Sequence, residues 1–63
     1  MNADILKIDG SFIRNIVSNS LDYQIVASIC HLARMKRMLV VAEYVESEEI
    51  RSAVISLGID YMQ

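Results

Sequence analysis

At 63 residues and a formal net charge of −2, the chain fits one domain at most and lacks the basic excess on which nucleic-acid binding rests. No apolar run reaches the roughly 18 residues of a membrane span, and no stretch of the chain reads as a secretory leader. The hydrophobic share of 54% is high, yet a chain this short buries only about 60% of its unfolded surface. Some apolar surface is therefore expected to need cover from outside the chain. Cys30, the single cysteine, excludes an internal disulfide and fits a reducing compartment.

Ile5-Leu6-Lys7-Ile8-Asp9 reads as a first strand, with Ile5, Lys7 and Asp9 on one face and Leu6 and Ile8 on the other. Gly10-Ser11 breaks the run. Asp9 or Ser11 caps a short helical turn through Phe12, Ile13, Ile16 and Val17, and Ser18-Asn19-Ser20 is a polar turn. A long helix is predicted from Ser20 or Asp22, with Ile25, Ile29 and Leu32 as its stripe, flanked by Val26, Cys30 and Ala33. Arg34, Lys36 and Arg37 in its last turn complement the helix dipole. Cys30 is assigned to the core and His31 to solvent, since neighbours on a helix point about 100° apart. Met35 and Met38 are assigned to packing.

Leu39-Val40-Val41-Ala42-Glu43 is a second strand, preceded by Met38. Its continuous apolarity suits a parallel strand buried on both faces. Ser47 caps the next helix, with Glu48 and Glu49 in its first turn and Ile50, Ala53, Val54 and Leu57 facing inward. Gly58 stops it. Ile59-Asp60-Tyr61-Met62-Gln63 is a third strand with no helix after it, as in a piece cut from a larger fold. Strand, helix, strand, helix, strand gives an α/β class with parallel strands, whose chemistry gathers at the strands' carboxyl ends. Parity leaves Leu6, Ile8, Val40, Ala42 and Met62 for the helices. Lys7, Glu43 and Gln63 then share the opposite face, above Ile5, Leu39, Val41 and Ile59. Two charges on an apolar face need partners. Lys7 and Glu43 are either a structural ion pair at a barrel mouth or members of an active site.

Four blocks resemble one family in order and in spacing: D-I-L-K-I-D-G-S-F (Asp4–Phe12), I-V-A-S-I-C-H-L-A (Ile25–Ala33), V-V-A-E-Y-V-E-S (Val40–Ser47) and L-G-I-D-Y-M-Q (Leu57–Gln63). Together they look like the C-terminal third of an EAL domain. Residues 1–63 would then be a partial domain, holding the last three strands of a TIM-like (β/α)8 barrel without its first five. The narrower likeness is to degenerate EAL domains that end membrane-anchored diguanylate cyclases of enteric bacteria.

The resemblance implies a cytoplasmic, metal-dependent phosphodiesterase that linearises cyclic di-GMP with Mg2+ or Mn2+, and the narrower likeness implies a parent anchored in the inner membrane. It matches Lys7 to a lysine that contacts the attacking water. Glu43 matches the first glutamate of E-G-V-E, part of the metal and water site, and Glu46 matches the second, which supports a loop. Gln63 matches the glutamine closing the last strand. Two departures stand against activity. Tyr44 occupies the glycine position of E-G-V-E, and the family's other metal-holding acids lie outside the chain. The 63 residues are therefore expected to be noncatalytic alone and to self-associate through open sheet edges or the uncovered face. A regulatory module that binds without turnover, attached to a cyclase, is the alternative.

Overall fold

Backbone hydrogen bonding in a computed structural model, which describes residues 4–63, produces the expected alternation. The elements are β1 (Ile5–Ile8), α1 (Gly10–Ile13), α2 (Ser20–Met35), β2 (Leu39–Ala42), α3 (Glu48–Ser56) and β3 (Tyr61–Met62). The three strands form one parallel sheet in chain order, with β2 central. Ile5 pairs with Leu39, Lys7 with Val41 and Val41 with Tyr61. Each strand is shorter than the sequence pattern predicts; Asp9 instead caps α1, and Asp60 bonds Val40 N through its side chain.

Short polar side chains start each helix. Asp9 caps α1, accepting from Ser11 N at 2.9 Å and from Ser11 Oγ at 2.5 Å; Ser11 is the donor rather than the cap. Asn19 caps α2 through Leu21 N and Asp22 N, and Ser47 caps α3 through Ile50 N. The stops are alike too. Met38 N donates to Ala33 O at 2.8 Å and Arg37 N to Arg34 O at 3.0 Å, while Ile59 N donates to Val54 O and Gly58 N to Ile55 O. These paired bonds are Schellman closures. Their left-handed residues are Gly58 at φ 76° and Arg37 at φ 57°. Gly58 fits its position without a steric penalty; Arg37 does not.

The core lies between the helices and one face of the sheet. Ile8, Val40 and Ala42 meet Val26, Cys30 and Ala33 of α2 and Ile50 and Val54 of α3, with Ile13, Ile16 and Leu57 closing the ends. Burial pushes the Cys30 thiol pKa up, and His31 is exposed as expected. The α2 stripe is turned from its predicted centre: Val26, Cys30 and Ala33 are buried, whereas Leu32 is 59% and Met35 70% exposed. Leu21, Ile25, Leu32 and Met35 form a second apolar line along the flank of α2. Ile59 also departs from strand parity, since it packs on the core, and Met62 is only partly covered. Val41 is buried yet stands outside the core cluster, on the sheet's other face.

Candidate functional site

Parallel register puts side chains of paired residues on the same side of a sheet. Lys7, Val41 and Tyr61 therefore form one row on the face away from the helices. Exposure agrees: Ile5 and Tyr61 stand open on that face while Ile8, Val40 and Ala42 are covered on the other. Ladder bonds continue past β2, with Glu43 N donating to Ile8 O at 3.2 Å and Gln63 N to Ala42 O at 2.8 Å. Glu43 and Gln63 are thus level with each other, and Lys7 lies two residues deeper, about 6–7 Å along the strand.

Lys7 and Gln63 are exposed and Glu43 is partly buried. The structural ion pair considered for Lys7 and Glu43 does not form: among the described residues the ion pair within 4.0 Å is Arg51–Glu48, at 3.9 Å on the surface of α3. Register explains this, because Asp9 and not Lys7 is the β1 residue level with Glu43. The Asp9 carboxylate is occupied at its Ser11 cap, and those hydrogen bonds hold its pKa below the usual carboxylate range. Glu46 is exposed on the loop leading to α3.

A bulge shapes the rim. The Gln63 carbonyl accepts from Val45 N at 3.0 Å while its N–H donates to Ala42 O. Two residues, Glu43 and Tyr44, therefore face Gln63 where a regular parallel ladder spans one. Tyr44 is the extra residue and adopts φ 67°, a conformation that costs a non-glycine residue roughly 1–2 kcal/mol. Its ring lies over buried Gly10, where a methyl group would come within 2.7 Å of Tyr44 Cδ2 and 2.8 Å of its Cβ.

Asp60, which anchors the amino end of β3 to β2, is a structural residue that strand periodicity missed. Its carboxylate accepts from Val40 N at 2.8 Å, and its own N–H donates to Val40 O at 3.0 Å. The side chain thus satisfies a β2 donor before β3 begins. An acid opening an apolar strand is the signal, but alternation alone assigns it only a face. Arg34 stands in the last turn of α2 as expected, and its guanidinium also donates to Leu57 O at 2.6 Å and fastens α2 to the end of α3.

No three His, Cys, Asp or Glu side chains converge to hold a metal among the described residues. Glu43 supplies one hard carboxylate donor of the type Mg2+ or Mn2+ takes. Any such ion needs further ligands from outside this chain. The described helices include none long and apolar enough to cross a membrane. An open groove of about 560 Å³ lies elsewhere, lined by Ile16, Val17, Tyr23, Gln24 and Glu49 among others. It holds none of the rim residues.

Comparison with known proteins gives a consistent result. The family model described as EAL domain matches residues 1–63. Cyclic di-GMP phosphodiesterase PdeF of Escherichia coli (strain K12) is 90% identical over 63 residues, covering 100% of this chain and 8% of that protein. Cyclic di-GMP phosphodiesterase PdeA of Borreliella burgdorferi is 48% identical over 60 residues, covering 95% of this chain and 9% of that protein. The chain thus spans less than a tenth of these relatives. Among solved structures, EAL enzyme Bd1971 in its cAMP- and cyclic-di-GMP-bound form superposes with a TM-score of 0.93 at 36% identity, over 100% of this chain and 17% of that one. The PaMucR phosphodiesterase–c-di-GMP complex gives 0.90 at 36% identity, over 100% and 26%. The three-stranded parallel sheet is thus a piece of an EAL barrel, and the chain belongs to the EAL domain family.

Proposed function

We propose that this chain forms one wall of a cyclic di-GMP phosphodiesterase site, in the C-terminal part of an EAL barrel whose other strands lie outside it. The observation that carries the reading is the strand register: Lys7 lies in one row with Val41 and Tyr61, and ladder bonds bring Glu43 and Gln63 level two residues further on, at the edge where parallel α/β folds place their chemistry. Relatives named as phosphodiesterases support hydrolysis as the reaction. Lys7 orients a water and offsets charge developing on a phosphodiester. Glu43 supplies a carboxylate to the water and metal site, Gln63 an amide level with it, and Glu46 supports the loop between β2 and α3. A bound divalent cation would lower the pKa of its water and polarise the phosphoryl oxygens. The 63 residues alone are noncatalytic in this reading. In this reading the surrounding domain works in the cytoplasm.

Tyr44 favours a second reading, in which the domain binds cyclic di-GMP or a partner without turnover. One experiment separates the two: exchange of the matching 63 residues of PdeF for this chain, followed by assay with Mg2+ or Mn2+. Hydrolysis to the linear dinucleotide is expected, and Lys7→Ala and Glu43→Gln should each lower kcat by about 100-fold or more. A folded chimera that binds cyclic di-GMP without cleaving it would overturn the enzymatic reading in favour of the regulatory one.

A further inference from the structure

Two strand ends must be held together for Lys7 and Glu43 to act on one substrate. Past Ala42 the β2 backbone is held by Glu43 N on Ile8 O at 3.2 Å and by Val45 N on Gln63 O at 3.0 Å. Between these bonds sits Tyr44, in the left-handed region at φ 67°. A bulky residue stays there only where its surroundings over-determine it. Here the surrounding is Gly10, the first residue of α1, directly after the Asp9 cap that ends β1. Any side chain at Gly10 would come within 2.7–3.0 Å of Tyr44 Cδ2, Cβ and Cγ. The ring's inner face is thereby seated on backbone, while the residue as a whole stays 61% exposed.

We propose that Tyr44 is a positioning residue: its ring, seated on Gly10, locks the β2 bulge to the β1–α1 turn and so fixes Glu43 relative to Lys7. The inference rests on the phosphodiesterase reading for its catalytic consequence but not for the lock itself. The ring carbons and Cβ make the contact, so the hydroxyl is dispensable. Gly10 and Tyr44 are one device, and neither substitution should act independently of the other.

The PdeF chimera carrying this chain tests both parts. Amide hydrogen exchange at Glu43 and Val45 reads the lock without any need for turnover. Tyr44→Ala, which removes the ring and keeps a non-glycine residue at this φ, and Gly10→Ala should each lower protection by about tenfold, and Gly10→Ala should cost clearly less in a Tyr44→Gly background. Tyr44→Phe should keep wild-type protection. In an active chimera kcat should follow the same pattern with KM within about twofold, since the residue acts through Glu43 rather than on the substrate. Additive losses of protection, or single variants with unchanged protection, would overturn the lock. Variants that raise KM at constant kcat would show instead that the ring touches substrate, which also contradicts the proposal. An inactive chimera that keeps the exchange pattern would refute the phosphodiesterase reading and leave the lock standing.

Discussion

Asp60 and Asp9 show how single carboxylates set the strand ends. Val40 N–H is buried in a residue only 2% exposed, and Asp60 is its acceptor. Asp60→Ala leaves that donor unpaired and should destabilise the intact domain by about 1–3 kcal/mol. Asp60→Asn, which keeps an oxygen in place, should cost clearly less; equal losses in denaturant titration would show that the bond contributes nothing. Asp9 adds a pH dependence. Its folded pKa is depressed, first by the Ser11 hydroxyl and then by Ser11 N–H. Its contribution is therefore full above the unfolded carboxylate pKa and is lost as pH falls through the lower folded value. NMR titration should show the Asp9 carboxyl pKa rising in Ser11→Ala; an unmoved value would remove this account of the cap. The cap at Asp9 was legible from the Gly10-Ser11 break, but the role of Asp60 was not, because a side chain that turns back onto nearby backbone leaves no period-two signature.

Among the elements, the helices were more legible than the strands. Apolar spacing located α2 and α3, and Ser47 and Gly58 marked the ends of α3. The rotation of the α2 stripe was not legible, since Leu32 and Ala33 are both apolar and propensity does not rank them. Ala33 faces the core because the smaller side chain lets the helix approach the sheet. Nor did the charges of Arg34, Lys36 and Arg37 reveal that Arg34 reaches across to Leu57 O. That contact yields a coupled prediction. A methyl group at Gly58 would collide with Arg34 Nη2, at a backbone φ of 76°. Gly58→Ala should thus cost more than the roughly 1 kcal/mol expected for left-handed strain alone. In an Arg34→Ala background the cost should shrink toward that figure. A thermal-melting double-mutant cycle with no interaction energy would contradict this.

For the molecule as a whole, the helical face of the sheet is covered and the other is open. Ile5, Leu39, Val41 and Tyr61 line the open face, and β1 and β3 are both edges. The flank of α2 adds Leu21, Leu32 and Met35 to the exposed apolar surface. Open edges and apolar faces of this kind drive association. Sedimentation of the isolated 63-residue chain should accordingly show dimers or larger species, and a stable folded monomer would count against that. The candidate site was legible as a set of end-of-strand residues. Its depth was not: Lys7 stands two residues below Glu43 because Asp9 and Glu43, not Lys7 and Glu43, end their strands level.

The most direct measurement is a crystal structure of the PdeF chimera carrying this chain with cyclic di-GMP bound. The Lys7 ammonium, Glu43 carboxylate and Gln63 amide should all open into the barrel interior at the carboxyl ends of adjacent strands, around the scissile phosphodiester. Any one of the three directed into the helical layer, or a dinucleotide bound away from all of them, would contradict the account.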